Sequence, residues 1–99
     1  MHQWSDDDNL IAYCLYRLGN KEETFSIKPQ ELAVFLGMSY GSLALKVANF
    51  KAIDGDGGMA GFSQQAKDIY KQYKNLTDTE LREIGIKAVM KALDKYTNR

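Results

Sequence analysis

The chain has 99 residues, 44% of them hydrophobic and 26% charged, with 13 basic side chains balanced by 13 acidic ones. That suits one globular domain and leaves little room for a second, and a domain this small buries only about 60 to 65% of its unfolded surface. One cysteine and one near-terminal histidine exclude an internal disulfide, a cysteine-based zinc site and a Ser/His/Asp catalytic set.

The predicted fold is mainly α: a five-helix single domain over 1–99, with a glycine-rich turn or short hairpin near 54–62. Ser5 reads as an N-cap, and Asp6, Asp7 and Asp8 after it suit the positive end of a helix dipole. Ile11, Cys14, Leu15 and Leu18 then recur at helical spacing until Gly19-Asn20, with Cys14 as a small core residue. Residues 20–28 are polar and read as a loop. Pro29 fits the first turn of a second helix, whose apolar positions are Leu32, Ala33, Phe35 and Leu36 and whose stop is Gly37.

Ser39 is expected to cap a third helix from about Tyr40 to Ala52. Leu43, Val47 and Phe50 form its buried stripe, whereas Gly41, Ser42, Leu45 and Asn49 point elsewhere. The segment Gly55-Asp56-Gly57-Gly58-Met59-Ala60-Gly61 reads as a loop or tight turn. Ser63 caps a fourth helix with Ala66, Ile69, Tyr70 and Tyr73 inward. Thr77-Asp78-Thr79-Glu80 is a capping box that starts a last helix from Asp78 to about Tyr96.

Residues 29–52 follow the helix-turn-helix plan: a short helix, a turn after a glycine and a second amphipathic helix. Ala33 lets the helices approach, Gly37 four residues on permits the turn, and Leu43 six further locks the second helix down. A generic pair of packed helices shows the same three residues. In the DNA-binding version, Tyr40 to Ala52 is the recognition helix. Asn49 then pairs with adenine, Ser42 bonds several bases, and Lys46 and Lys51 hold phosphates, Lys46 also suiting guanine. Ser39, Tyr40 and Leu45 complete the expected contact face. Structural roles compete: Ser42 supporting the helix start, Asn49 bonding a neighbouring backbone.

Charge is unevenly spread. Residues 1–40 carry six acids against Arg17, Lys21 and Lys28, whereas 41–75 carry Lys46, Lys51, Lys67, Lys71 and Lys74 against three acids. Lys67, Lys71 and Lys74 share one helix face, either a phosphate-tracking stripe or an ordinary solvated face. Lys87, Lys91 and Lys95 read as solvated, since Glu83 precedes Lys87 by four residues.

No other site motif holds. Asp54 and Asp56 begin a calcium-loop pattern, but its twelfth position is Gln65 rather than Glu. The glycine segment lacks the lysine and spacing of a phosphate loop. The chain is therefore expected not to be an enzyme and to use no metal, cofactor or small-molecule ligand. No apolar run nears the roughly 18 residues of a membrane span, and no signal peptide is visible, so a cytoplasmic location is expected.

The last helix has a very broad apolar arc, wider than the ~100° a surface helix needs. Ile86, Val89, Met90, Leu93 and Tyr96 are expected to form a two-fold homodimer interface. Such a dimer sets two recognition helices about one DNA turn apart. The competing reading is a helix buried in its own fold.

Four stretches carry a family resemblance: Trp4-Ser5-Asp6-Asp7, Glu31-Leu32-Ala33 with Leu36-Gly37, Ser42-Leu43-Ala44 with Lys46-Val47 and Asn49-Phe50, and Gly58 with Gly61-Phe62-Ser63. Together they resemble the N-terminal region of HNH-type restriction-like and homing endonucleases over roughly residues 4–73. In that family this region binds DNA and a separate C-terminal domain cuts it. The chain departs at Met38, where the family has a basic residue, and at Tyr40-Gly41, where it has Pro-Ser. The histidine- and asparagine-bearing nuclease domain has no counterpart, because residues 76–99 supply only a helix.

The resemblance implies a free-standing double-stranded-DNA-binding domain, derived from a mobile phage endonuclease and reused as a dimeric repressor of a phage promoter, in a phage or phage-satellite setting. Two alternatives stand beside it. One is a helical protein–protein adaptor, which the zero net charge suits. The other is a competitor that shields a cognate endonuclease's site.

Overall fold

Residues 2–56 and 61–98 are described by the computed structural model, and they form six helices. These are α1 (Asp6–Leu18), α2 (Glu22–Phe25), α3 (Pro29–Leu36), α4 (Tyr40–Asp56), α5 (Gln64–Tyr73) and α6 (Asp78–Thr97). No strand occurs among the described residues.

The expected caps are in place. Ser5 Oγ accepts from the Asp8 amide at 3.0 Å, and the Asp8 carboxylate accepts from the Ser5 amide at 3.1 Å, a reciprocal capping box. Thr77 and Glu80 make the same exchange at the start of α6, and Ser63 Oγ accepts from the Ala66 amide on α5. Pro29 opens α3. Gly37 ends it at φ 80°, a left-handed conformation that a side chain would resist, and the Met38 amide then donates to the Ala33 carbonyl at 3.0 Å.

Two boundaries differ from the sequence reading, and the helix count rises from five to six. Within the expected loop 20–28, Glu22–Phe25 makes one helical turn. Thr24 is buried and its hydroxyl donates to the Gly19 carbonyl, while Arg82 of α6 donates to the Thr24 carbonyl at 2.6 Å. A turn this short has no periodicity to read, and Arg82 reaches it from far along the chain. The second difference is α4, which runs past Ala52 through Gly55. Ile53 is fully buried, and Asp54 is held by two tyrosines; these contacts offset the ~1 kcal/mol that a helical glycine costs. Residues 57–60, the centre of the expected turn or hairpin, lie outside the described residues.

α1 is the hub. Eight consecutive residues, Asp8 to Leu15, are buried, because α4, α5 and α6 all pack against it. The Tyr13 ring meets Phe50 of α4 at 5.3 Å and Tyr70 of α5 at 6.2 Å, both edge-on. Arg17 pins the α5–α6 connection by donating to the Tyr13 hydroxyl, the carbonyls of Lys74 and Leu76, and Asp78. α3 packs on α4 and α6, and α2 on α6. No single helix among the described residues is long and apolar enough to cross a membrane.

Candidate nucleic-acid interface

α3 and α4 are joined by Gly37, Met38 and Ser39 and bend 103° from one another. Helix-turn-helix pairs cross at about 90–120°. Ala33 and Leu43 are fully buried, so the residues expected to let the helices approach and to anchor the second one do pack inside. Met38, in the turn between them, is 8% exposed and belongs to the core.

An amino-terminal strap braces this pair from the side. His2 Nε2 lies 2.8 Å from Asp8 Oδ2, and the His2 ring meets Trp4 edge-on at 5.3 Å. The Lys46 ammonium sits 4.7 Å from the centre of the Trp4 ring, a cation–π contact.

The faces of α4 divide the expected contact residues. Leu43, Phe50 and Ile53 point into the core and are fully buried. Gly41, Leu45, Ala48 and Ala52 form an exposed crest, with Leu45 64% exposed and Tyr40 and Lys51 exposed beside it. Ser42, Lys46 and Asn49 lie half-buried on one flank. Ser39 Oγ accepts from the Ser42 amide at 3.1 Å and donates to the Ser42 hydroxyl, so both serines build the helix start. The Tyr40 hydroxyl accepts from Asn20. Lys46 does not project from the crest; it is folded onto Trp4, and burial lowers its pKa. The Asn49 side chain has no hydrogen bond among the described residues, so the backbone partner considered for it is not made.

Alongside α4, α5 exposes Lys71 and half-buries Lys67, and Lys74 is exposed at its C-cap. Lys74 Nζ lies 5.8 Å from the centre of the Tyr70 ring. Asp54, at the end of α4, accepts from Tyr16 of α1 at 2.5 Å and from Tyr70 of α5 at 2.9 Å. This clamp ties three helices and sets the far end of α4. No local pattern signals it, since residues 16, 54 and 70 are far apart in sequence.

The bond to Asp54, with burial adding to it, pushes the Tyr16 hydroxyl up to about 12, while the two tyrosines hold the Asp54 carboxyl below its usual range. The folded state of Tyr16 therefore holds its proton where the unfolded chain, titrating near 10, has lost it. Its stabilisation is whole below about pH 10 and lost as pH rises toward about 12. The Asp54 contribution runs oppositely, present at neutral pH and lost in acid. The clamp is exposed to solvent, so about 1 kcal/mol or less is at stake. Thermal melts by circular dichroism between pH 9 and 12 are expected to fall less for Tyr16→Phe than for the parent. Parallel curves would show that the hydroxyl contributes nothing.

Comparison with protein-family models, curated proteins and solved structures found no match.

On α6, the expected interface residues separate as well. Val89 is 5% exposed and belongs to the core, so it cannot serve a second subunit without opening the fold. Leu93 is half-buried. Ile86 and Met90 are 40% and 63% exposed, and the exposed Tyr96 packs edge-on against Phe35 at 4.8 Å. The broad apolar arc is largely used inside the domain, because α6 faces α1, α2 and α3 at once. Cys14 is a core residue, its thiol pushed up to about 12 by burial.

Proposed function

We propose that this domain binds double-stranded DNA, with α4 as the recognition helix of a helix-turn-helix, and represses transcription by occupying a promoter. The observation that carries this reading is the 103° crossing of α3 and α4 combined with an outward face of α4 that is left exposed. Leu45, Ala48 and Ala52 are suited to thymine methyl groups, and Asn49 to the adenine edge. Gly41 lets the helix approach closely, and Ser39 and Tyr40 lie at the end of α4 that meets base edges first. Lys51, Lys67, Lys71 and Lys74 hold phosphates, whereas Lys46 keeps the recognition helix seated on Trp4. A zero net charge is compatible with this, since binding depends on the local field.

A homodimer would meet through Ile86, Met90, Leu93 and Tyr96. The endonuclease resemblance supports a phage regulator derived from a mobile element.

Sequencing the genomic fragments that the protein retains at physiological salt tests the reading, with enrichment of one promoter expected. On the enriched duplex, Asn49→Ala is expected to cost about 1–3 kcal/mol and to relax preference at one position. Lys67→Ala is expected to weaken all duplexes alike and to lower the salt slope by about 1. Retention without enrichment would argue against a promoter-specific role.

A second reading, a protein–protein adaptor docking through the crest of α4, is favoured by the apolar character of Leu45, Ala48 and Ala52. Failure of the parent protein to retain any duplex would select it.

A further inference from the structure

A cleft of about 270 Å³ lies between the amino-terminal strap, the end of α3 and the second half of α6. Its floor is apolar, made by Phe35 and Leu36 of α3 and Ala88 and Ala92 of α6. Charged groups rim it, and most are already engaged. Asp8 is held by His2 and the Ser5 amide, and Asp7 pairs with Lys91 at 3.1 Å. Lys95, one helical turn beyond Lys91 on the same rim, makes no ion pair among the described residues. Of the two carboxylates and two ammonium groups on the rim, the Lys95 ammonium is the one with no ion-pair partner among the described residues.

We infer that this cleft binds a small aromatic carboxylate, its ring on the Phe35–Ala88–Ala92 floor and its carboxylate against Lys95. The volume equals about nine water molecules at ~30 Å³ each, which suits a compound of about ten non-hydrogen atoms. It is smaller than the ~300–1,000 Å³ typical of drug-sized pockets. The Phe35 ring, already edge-on to Tyr96, offers its remaining surface for offset stacking. A cation meets Lys95 as a like charge, and an anion without an apolar body leaves the floor wet. The inference is independent of whether α4 contacts DNA.

Benzoate is the probe, titrated into the full chain and followed by amide shifts in ¹H–¹⁵N correlation spectra. Saturable shifts confined to Phe35, Leu36, Ala88, Ala92 and Lys95 are expected, with a Kd of about 1 mM. Benzamide is expected to bind about tenfold more weakly, and benzylamine and inorganic phosphate more weakly still. Lys95→Gln removes the benzoate preference and leaves benzamide unchanged, while Ala92→Leu, which fills the floor, abolishes both. No saturable shift with benzoate, equal binding of benzamide or phosphate, a Lys95→Gln variant that still prefers benzoate, or shifts elsewhere on the surface would each overturn the assignment.

Discussion

Replacing Phe50 with alanine is expected to remove about 4 kcal/mol of stability. The side chain is fully buried beneath α4, and its ring meets Tyr13 of the hub helix edge-on at 5.3 Å. Truncation loses the transfer energy of the ring, leaves a cavity against α1, and removes an aromatic pair worth about 0.5–1.5 kcal/mol beyond its area. A domain of this size has about 5–15 kcal/mol in total, so a large share disappears at once. With a urea slope of about 1–2 kcal/mol per molar, the unfolding midpoint drops by about 2–4 M. Phe50→Leu, which keeps much of the volume, should cost clearly less than the alanine variant. A loss under about 1.5 kcal/mol for Phe50→Ala would mean that this ring does not anchor α4. That outcome would also weaken the DNA-binding reading, since a recognition helix needs a fixed inner face to hold its outer face steady.

Replacing Gly85 with valine is expected to cost about 3 kcal/mol, although valine forms helix at least as readily as glycine. A Cβ at this position would lie 2.8 Å and 2.9 Å from ring carbons of Phe25 and 3.0 Å from the Cys14 sulfur. Cys14 is fully buried and cannot retreat without moving α1. Phe25 has more freedom, but it sits on α2, which Arg82 and Thr24 tie down. The glycine is thus required by the close approach of α6 to α1 and α2. Alanine is the milder case, at about 1–2 kcal/mol after its helix propensity is credited. A Phe25→Leu change should recover part of either loss, giving a coupling of about 0.5–2 kcal/mol in a double-mutant cycle by urea denaturation. A fully stable Gly85→Val would refute the close packing.

These two residues also show how far pattern reading reaches. Phe50 is recognisable as core from its spacing with Leu43 and Val47 along one helix face. Gly85 carries the same apolar label as its neighbours on α6, yet what distinguishes it is a ring from α2, sixty positions earlier in the chain. The surroundings of Lys46 and Val89 likewise depend on distant parts of the chain. A lysine among the expected DNA contacts lies half-buried on one flank of α4 because Trp4 offers a ring to cover, and a valine assigned to a second subunit is covered by its own domain.

Helix starts and stops follow from residues within four positions of each other. Ser5 with Asp8, Thr77 with Glu80, Ser63 with Ala66, and Gly37 with Ala33 satisfy backbone groups locally, and Pro29 suits a first helical turn by its fixed φ, so the chain specifies them before any helix meets another. Folding in three dimensions decided the rest: the burial of α1 on every side, the single turn of α2, the extension of α4 to Asp56 and the Asp54 clamp. The Arg82–Thr24, Tyr16–Asp54 and Tyr70–Asp54 bonds join residues 58, 38 and 16 positions apart. Such contacts leave no periodic mark in the sequence, because their strength depends on where separate helices come to rest against each other.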